Sequence, residues 1–299
     1  MPPRSYATPL AFKQALESRL KEASSSGADF ARRRQLLVFD RFLARVAQTV
    51  GDAVTLKGGL VLELRLARAR TTKDVDLRMM GAATNVREEL SEAGRLDLGD
   101  FMRFEVAPDP RHPDIQTEGM KYEGHRFRAE CRLAGKIYGQ PFGVDVAFGD
   151  PIVGEPDIVV ASDTLGFASI PPPQLRLYPV VSHVAEKLHA YTLPRSQPNT
   201  RVKDLPDLAL LGTVEDVDAA RLRAALTRTF EHRATHPLPA ALPEPPAAWA
   251  GPYRVIARAS ALPWPELGDV HTAAAAFLNP VLAGAPGVAT WNCPGSTWT

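Results

Sequence analysis

Phe12, Ala15, Leu16 and Leu20 recur at the spacing of one helix face. This pattern predicts a first helix over 8–23, with Thr8 as N-cap and Pro9 at the first helical position. Beyond a Ser-Ser-Ser-Gly turn, Leu36, Leu37, Phe39, Phe42, Leu43 and Val46 give a second helix, over 29–50, a broad apolar face. Arg32, Arg33, Arg34, Arg41 and Arg45 fall largely on its other side, as a solvated face or a contact surface for a phosphate backbone. Val54-Thr55-Leu56 then reads as a short strand entering Lys57-Gly58-Gly59. Leu60, Val61, Leu64 and Ala67 mark a buried helix over 60–69, although the alternate leucines there would also suit a strand. Residues 74–80 alternate as a strand with one polar face. A helix over 85–94 follows, then strands over 100–106, 121–133 and 142–148.

The pattern changes after Pro171-Pro172-Pro173. Helices are expected over 178–193, 201–211 and 217–232, with Pro206 limiting where the second becomes regular. A Pro-rich loop covers 236–252, further elements are expected over 253–259 and 270–283, and the tail 291–299 reads as a loosely docked end. The fold class is therefore α+β. An N-terminal core, 1–165, has a mixed sheet flanked by helices, and a mostly helical part, 166–299, closes a cleft against it.

Composition narrows this picture only slightly. The 299 residues, 45% hydrophobic and 23% charged, suit a globular chain with a sizeable core. A net charge of +1 provides no global field, so any nucleic acid would have to meet a local basic face. Cys131 and Cys293 match no zinc or redox spacing and read as inert thiols. With neither a signal-peptide pattern nor a membrane-length apolar run, the expected location is the cytoplasm.

The candidate chemistry lies in Leu56 to Met80. A Gly-Gly turn entering a helix lets backbone amides approach an anion, and the helix N-terminus adds positive potential. Asp74 and Asp76, two apart on a strand, point to one face, where like charges repel unless a cation joins them. Asp145, between Val144 and Val146, is a third strand-borne acid that would complete a three-carboxylate metal site. Taken alone, Lys187 reads as a solvated lysine and Asp204 as a first-turn acid. His183 and His189, six apart on one helix, share no ligand face and read as structural.

Leu56-Lys57-Gly58-Gly59, Thr71-Thr72-Lys73-Asp74-Val75-Asp76-Leu77, the helix Ala185 to Ala190 and the run Arg201 to Leu208 occur in that order. Together with Asp145 they resemble the DNA polymerase beta-type nucleotidyltransferases, and among these the AbiEii/AbiGii-type toxin family that includes the MenT toxins. Gly59 stands where many nucleotidyltransferases have serine, Thr72 where serine often precedes the acids, and Pro206 where an aromatic often separates Asp204 from Asp207. Asp204 and Asp207 both remain candidates for the last acid, with Asp204 favoured.

The resemblance implies a nucleotidyltransferase-like sheet and transfer of a nucleotide from an NTP, with Mg2+, to an RNA. The 3′ end of tRNA is the leading acceptor, which would block translation, and a cognate antitoxin is the implied partner. Asp74 and Asp76 would hold the metal against the triphosphate, and Asp145 would hold a second metal or deprotonate the attacking hydroxyl. Gly58 and Gly59 would cradle phosphate, and Lys187 would neutralise charge on the transferred or leaving phosphate. Lys57, Arg70, Thr72, Arg201 and Asp207 are further nucleotide contacts. Thr71 and Thr72 are positions where phosphorylation would place repelling charge. A protein or small-molecule acceptor, or an inactive fold serving as a binding module, are the alternatives.

Overall fold

The computed structural model describes residues 6–66, 72–81, 83–114, 124–195, 201–285 and 289–299. Arg70, Thr71 and the first three residues of the expected strand over 121–133 lie outside them.

Helix α1 (Pro9–Glu22) begins where the Thr8 hydroxyl accepts the Ala11 N–H at 3.2 Å. Helix α2 (Gly27–Val50) is capped by Ser26, whose hydroxyl accepts the Asp29 N–H at 3.1 Å. After β1 (Val54–Lys57) comes α3 (Gly58–Arg65), so the leucine-rich run is helical up to residue 65. The reason is tertiary. In a strand Leu60 and Leu62 would share a face, whereas here Leu60 and Val61 enter one core and Leu62 enters another. Helix α3 thus joins the two cores.

The chain continues through β2 (Asp74–Met79), α4 (Val86–Arg95), β3 (Met102–Pro108), β4 (Gly124–Leu133), β5 (Lys136–Ile137) and β6 (Phe142–Phe148). Strands β7 (Asp157–Val160) and β8 (Gln174–Leu177) follow. All eight form one mixed sheet ordered β3-β4-β6-β2-β1-β8-β7, with β5 paired to β4. Strand β8, which pairs with β1 and β7, carries this sheet beyond residue 165. Helix α2 packs on one face, where Phe39 and Phe42 meet Phe142 at ring-centroid distances of 5.0 and 5.4 Å.

The second core is built by α5 (Val180–Thr192), α6 (Asp204–Leu211), α7 (Ala219–Arg233), α8 (Ala250–Ala259) and α9 (Leu267–Leu282). Helix α6 starts three residues later than its pattern suggests, with Pro206 in the first turn, where its missing N–H is no loss. The architecture is the α+β arrangement expected, a mixed sheet with a helical second half. Among the described residues no helix is long and apolar enough to cross a membrane.

Two expectations need correction. Arg41 and Arg45 do not belong to a solvated face: both are buried, and both hold Asp100. Arg45 Nη2 donates to Asp100 Oδ1 at 2.6 Å and to the Met102 carbonyl at 2.7 Å, while Arg41 Nε reaches Asp100 Oδ2 at 2.7 Å. Burial alone would raise the Asp100 pKa, and the two guanidiniums more than reverse this, holding its carboxyl below the usual range. The tail is not loose either. Strands β9 (Val217–Asp218), β10 (Thr290–Asn292) and β11 (Thr297–Trp298) form a small sheet. Within it Trp291 is buried and donates to the Gly212 carbonyl at 2.7 Å.

Candidate nucleotidyl-transfer site

Sheet register sets four charged residues side by side. Arg126 on β4 pairs across from Asp145 on β6, Asp145 from Asp76 on β2, and Asp76 from Lys57 on β1. The row runs plus, minus, minus, plus. Asp74, two residues earlier on β2, lies opposite Gly143 and on the same face as Asp76.

The acids have room only because the adjoining positions are glycines. Gly58 has φ +71°, and a Cβ there would collide with the Asp76 carboxylate. A Cβ at Gly143 would stand 2.6 Å from Asp74 Oδ1, the atom that accepts the Gly143 N–H at 3.3 Å. Gly59 is buried in the first turn of α3.

The electrostatics at the centre are unbalanced. Burial, then the Asp145 carboxylate beside it, push the half-buried Asp76 up to about 6, with Lys57 and Lys187 offsetting only part of the rise. Asp74, exposed at the mouth, is raised in the same way, by desolvation and then Asp145. Asp145 is gripped by Arg126 through two bonds of 2.7 Å, from Nε to Oδ1 and from Nη2 to Oδ2. Among the described residues no three His, Cys, Asp or Glu side chains converge closely enough to hold a metal ion by themselves. The arrangement nevertheless fits a divalent cation held by Asp74 and Asp76 and completed by phosphate oxygens. Two raised carboxylates on one face, each packed where a neighbouring glycine has no Cβ, are the chemistry such an ion relieves.

Lys187 on α5 approaches from the helical half. Its ammonium bonds Asp204 Oδ1 at 3.0 Å and Asp207 Oδ2 at 2.8 Å, so both acids of the last motif share one cation. Both acids are buried, and Arg201 Nη1 stands 3.9 Å from Asp204 Oδ2. Lys203, just before α6, offsets part of the rise at Asp74. Sequence reasoning missed Lys203 and the Arg126 clamp. The alternation of β4 put Arg126 on a polar face, but its partner became apparent only from the pairing register.

Lys57 was expected to contact phosphate. In the structure its ammonium is buried, hydrogen-bonded to Asp150 and, at 3.0 Å, to Glu186 Oε1. Arg233 Nη2 joins both acids at 3.3 Å, and the Tyr178 hydroxyl donates to Glu186 at 3.2 Å. Burial would raise the Asp150 pKa, but Lys57 and Arg233 hold the carboxyl well below the ordinary range. This network ties the residue before Gly58 to the residue before Lys187. His183 is fully buried and pushed down to about 3, first by burial and then by Lys187. It is a neutral structural side chain.

Thr72 is buried, its N–H donating to Glu63 Oε2 at 3.0 Å and its hydroxyl to the Asp74 carbonyl at 3.3 Å. Glu63 also receives Arg32 Nε at 2.8 Å. Thr72 therefore shapes the entry to β2. Arg70 lies outside the described residues.

MenT4, a nucleotidyltransferase toxin of Mycobacterium tuberculosis H37Rv, superposes over 90% of this chain and 98% of its own, with TM-score 0.52 and 17% identity. JHP933 of Helicobacter pylori aligns over 87% and 94%, with TM-score 0.46 and 12% identity. No curated protein sequence matches the chain. The first likeness bears on the fold. The family model described as nucleotidyl transferase AbiEii toxin, type IV toxin–antitoxin system, matches residues 41–269, and the chain belongs to that family.

Proposed function

We propose that the protein transfers a nucleotidyl group from an NTP to an RNA acceptor, with the 3′ end of tRNA the leading candidate and arrest of translation the consequence. The observation that carries the reading is the pair Asp74 and Asp76 on one face of β2, both raised in pKa, with the Lys187 ammonium near enough to offset part of the rise at Asp76. A bound Mg2+ would supply Lewis-acid polarisation of the phosphoryl oxygens and charge neutralisation. Asp74 and Asp76 would bind it, and the backbone N–H groups of the α3 N-terminus at Gly58-Gly59 would meet phosphate. The acceptor hydroxyl attacks the α-phosphorus, the bond to pyrophosphate breaks, and Asp145, beside Asp76, would take the proton. Lys187 stabilises the charge that develops on phosphate. A cytoplasmic location and a separate antitoxin complete the reading.

Incubation with each labelled NTP, Mg2+ and either total RNA or total protein tests it, because label follows the acceptor. Label is expected in RNA of tRNA size. Label in protein or a small molecule would transfer the reading to that acceptor, and no label with any NTP would sink it.

A pH dependence is also expected. The cation needs Asp76 ionised, and Asp76 titrates at about 6. Mn2+ affinity measured by calorimetry should be level above that pH and fall about tenfold per unit below it. A flat profile down to about pH 4, the ordinary carboxylate range, would remove Asp76 from the metal site.

A further inference from the structure

A slot opens at the Asp74 end of β2, between the first turns of α2 and the turn that enters β6. We propose that it is a nucleotide subsite, taking a nucleobase against its apolar wall and the attached phosphate on its cationic rim. The cavity is about 360 Å³, in the range of small-molecule sites. Its wall is largely apolar, with Ala31 and the stems of Arg32 and Arg34, and no acidic side chain lines it. Lys73, which lies on its rim, directly precedes Asp74, so a ligand seated here is one residue from the acids.

The donors are held for use. Among the described residues only Nε of Arg32 is taken up, by Glu63, which leaves both Nη groups of a half-exposed guanidinium. Arg34 lies 5.0 Å from the Phe30 ring and only loosely meets Glu17, at 3.8 Å. Lys73 is exposed and in no ion pair among the described residues. Gln35 braces the far wall, donating to the Gln140 carbonyl at 3.1 Å and accepting the Gln140 N–H at 2.7 Å. This bridge fixes α2 against the turn that carries Gln140, an exposed lining residue whose amide would meet a base edge. An apolar wall, an amide and three cations, with no acid in the lining, are what a base flanked by phosphate requires.

The same chemistry is offered by the incoming NTP and by the terminal nucleotide of an RNA. The proposal rests on nucleotidyl transfer only in naming these two ligands. The test measures binding without turnover, using Ala31→Trp to fill the slot and Lys73→Glu and Gln140→Ala on its exposed rim. The probes are an α,β-methylene NTP of each base with Mg2+, and a fluorescent single-stranded RNA of about eight nucleotides, long enough for one such groove. All three variants should melt as wild type, and Ala31→Trp and Lys73→Glu should each lose about tenfold or more in affinity for one probe. Loss with the NTP analogue assigns the slot to the donor, and loss with RNA assigns it to the acceptor.

Unchanged affinity for both probes in Lys73→Glu and Gln140→Ala overturns the subsite, as does a wild type that binds neither. If wild type binds and the variants do not, yet no label is ever transferred, the subsite stands and the transfer reading fails. If label is transferred while the variants bind as wild type, the subsite alone fails.

Discussion

Asp76→Asn is expected to lower nucleotidyl transfer by about a thousandfold or more while leaving the protein as stable as wild type, or more so. Losing one carboxylate of the proposed two-carboxylate cation site would remove several kcal/mol of transition-state charge stabilisation, and each 1.36 kcal/mol is tenfold in rate. The fold should gain, because burial and then the neighbouring Asp145 push Asp76 up to about 6. A folded-state value above the ordinary one of about 3.9 means that ionisation opposes folding. The penalty is absent below about pH 4, grows through pH 6, and is complete above it. Discounted for the solvent that reaches this half-buried group, relief is on the order of 2 kcal/mol, or a few degrees in Tm for a chain this size. The gain of Asn should therefore appear at about pH 8 without divalent cation and vanish at about pH 4. Added Mn2+ should stabilise wild type and not the variant. Activity retained above a tenth of wild type, or a variant less stable at high pH, would overturn this account of Asp76.

Lys187→Met is expected to cost both activity and stability. Asp204 and Asp207 are buried and share this ammonium at 3.0 and 2.8 Å, so its removal leaves two carboxylates short of a cation. Breaking a buried pair in this way costs roughly 3–5 kcal/mol. The triple variant Lys187→Met/Asp204→Asn/Asp207→Asn removes the stranded charges together with the cation and should recover most of the Tm. Transfer should stay lost, because no ammonium then faces the phosphate. A triple variant that regained both would make Lys187 a purely structural cation.

The helices and the central strands were legible because their period is local. Thr8, Pro9 and the spacing from Phe12 to Leu20 define α1 without reference to the rest of the chain, and the strand bearing Asp74 and Asp76 is visible in its own alternation. The Gly-Gly turn, the paired acids and Asp145 could be singled out for the same reason, since an acid between two valines on an apolar strand needs a compensating partner.

Tertiary structure decided which charges were partners and which remained over. Arg41 and Arg45 carry no local sign of burial, because Asp100 comes 59 and 55 residues later. Lys57 was legible as a cation beside glycines, but Asp150 and Glu186, 93 and 129 residues away, draw it into a buried network. Only the pairing of β4 with β6 set Arg126 on Asp145, while Asp74 and Asp76 are in no salt bridge among the described residues. Local periodicity determines which face a residue occupies, and the sequence alone supplied that much for this protein. An ion pair also depends on what the chain brings opposite, and that is set by strand register and the packing of two cores.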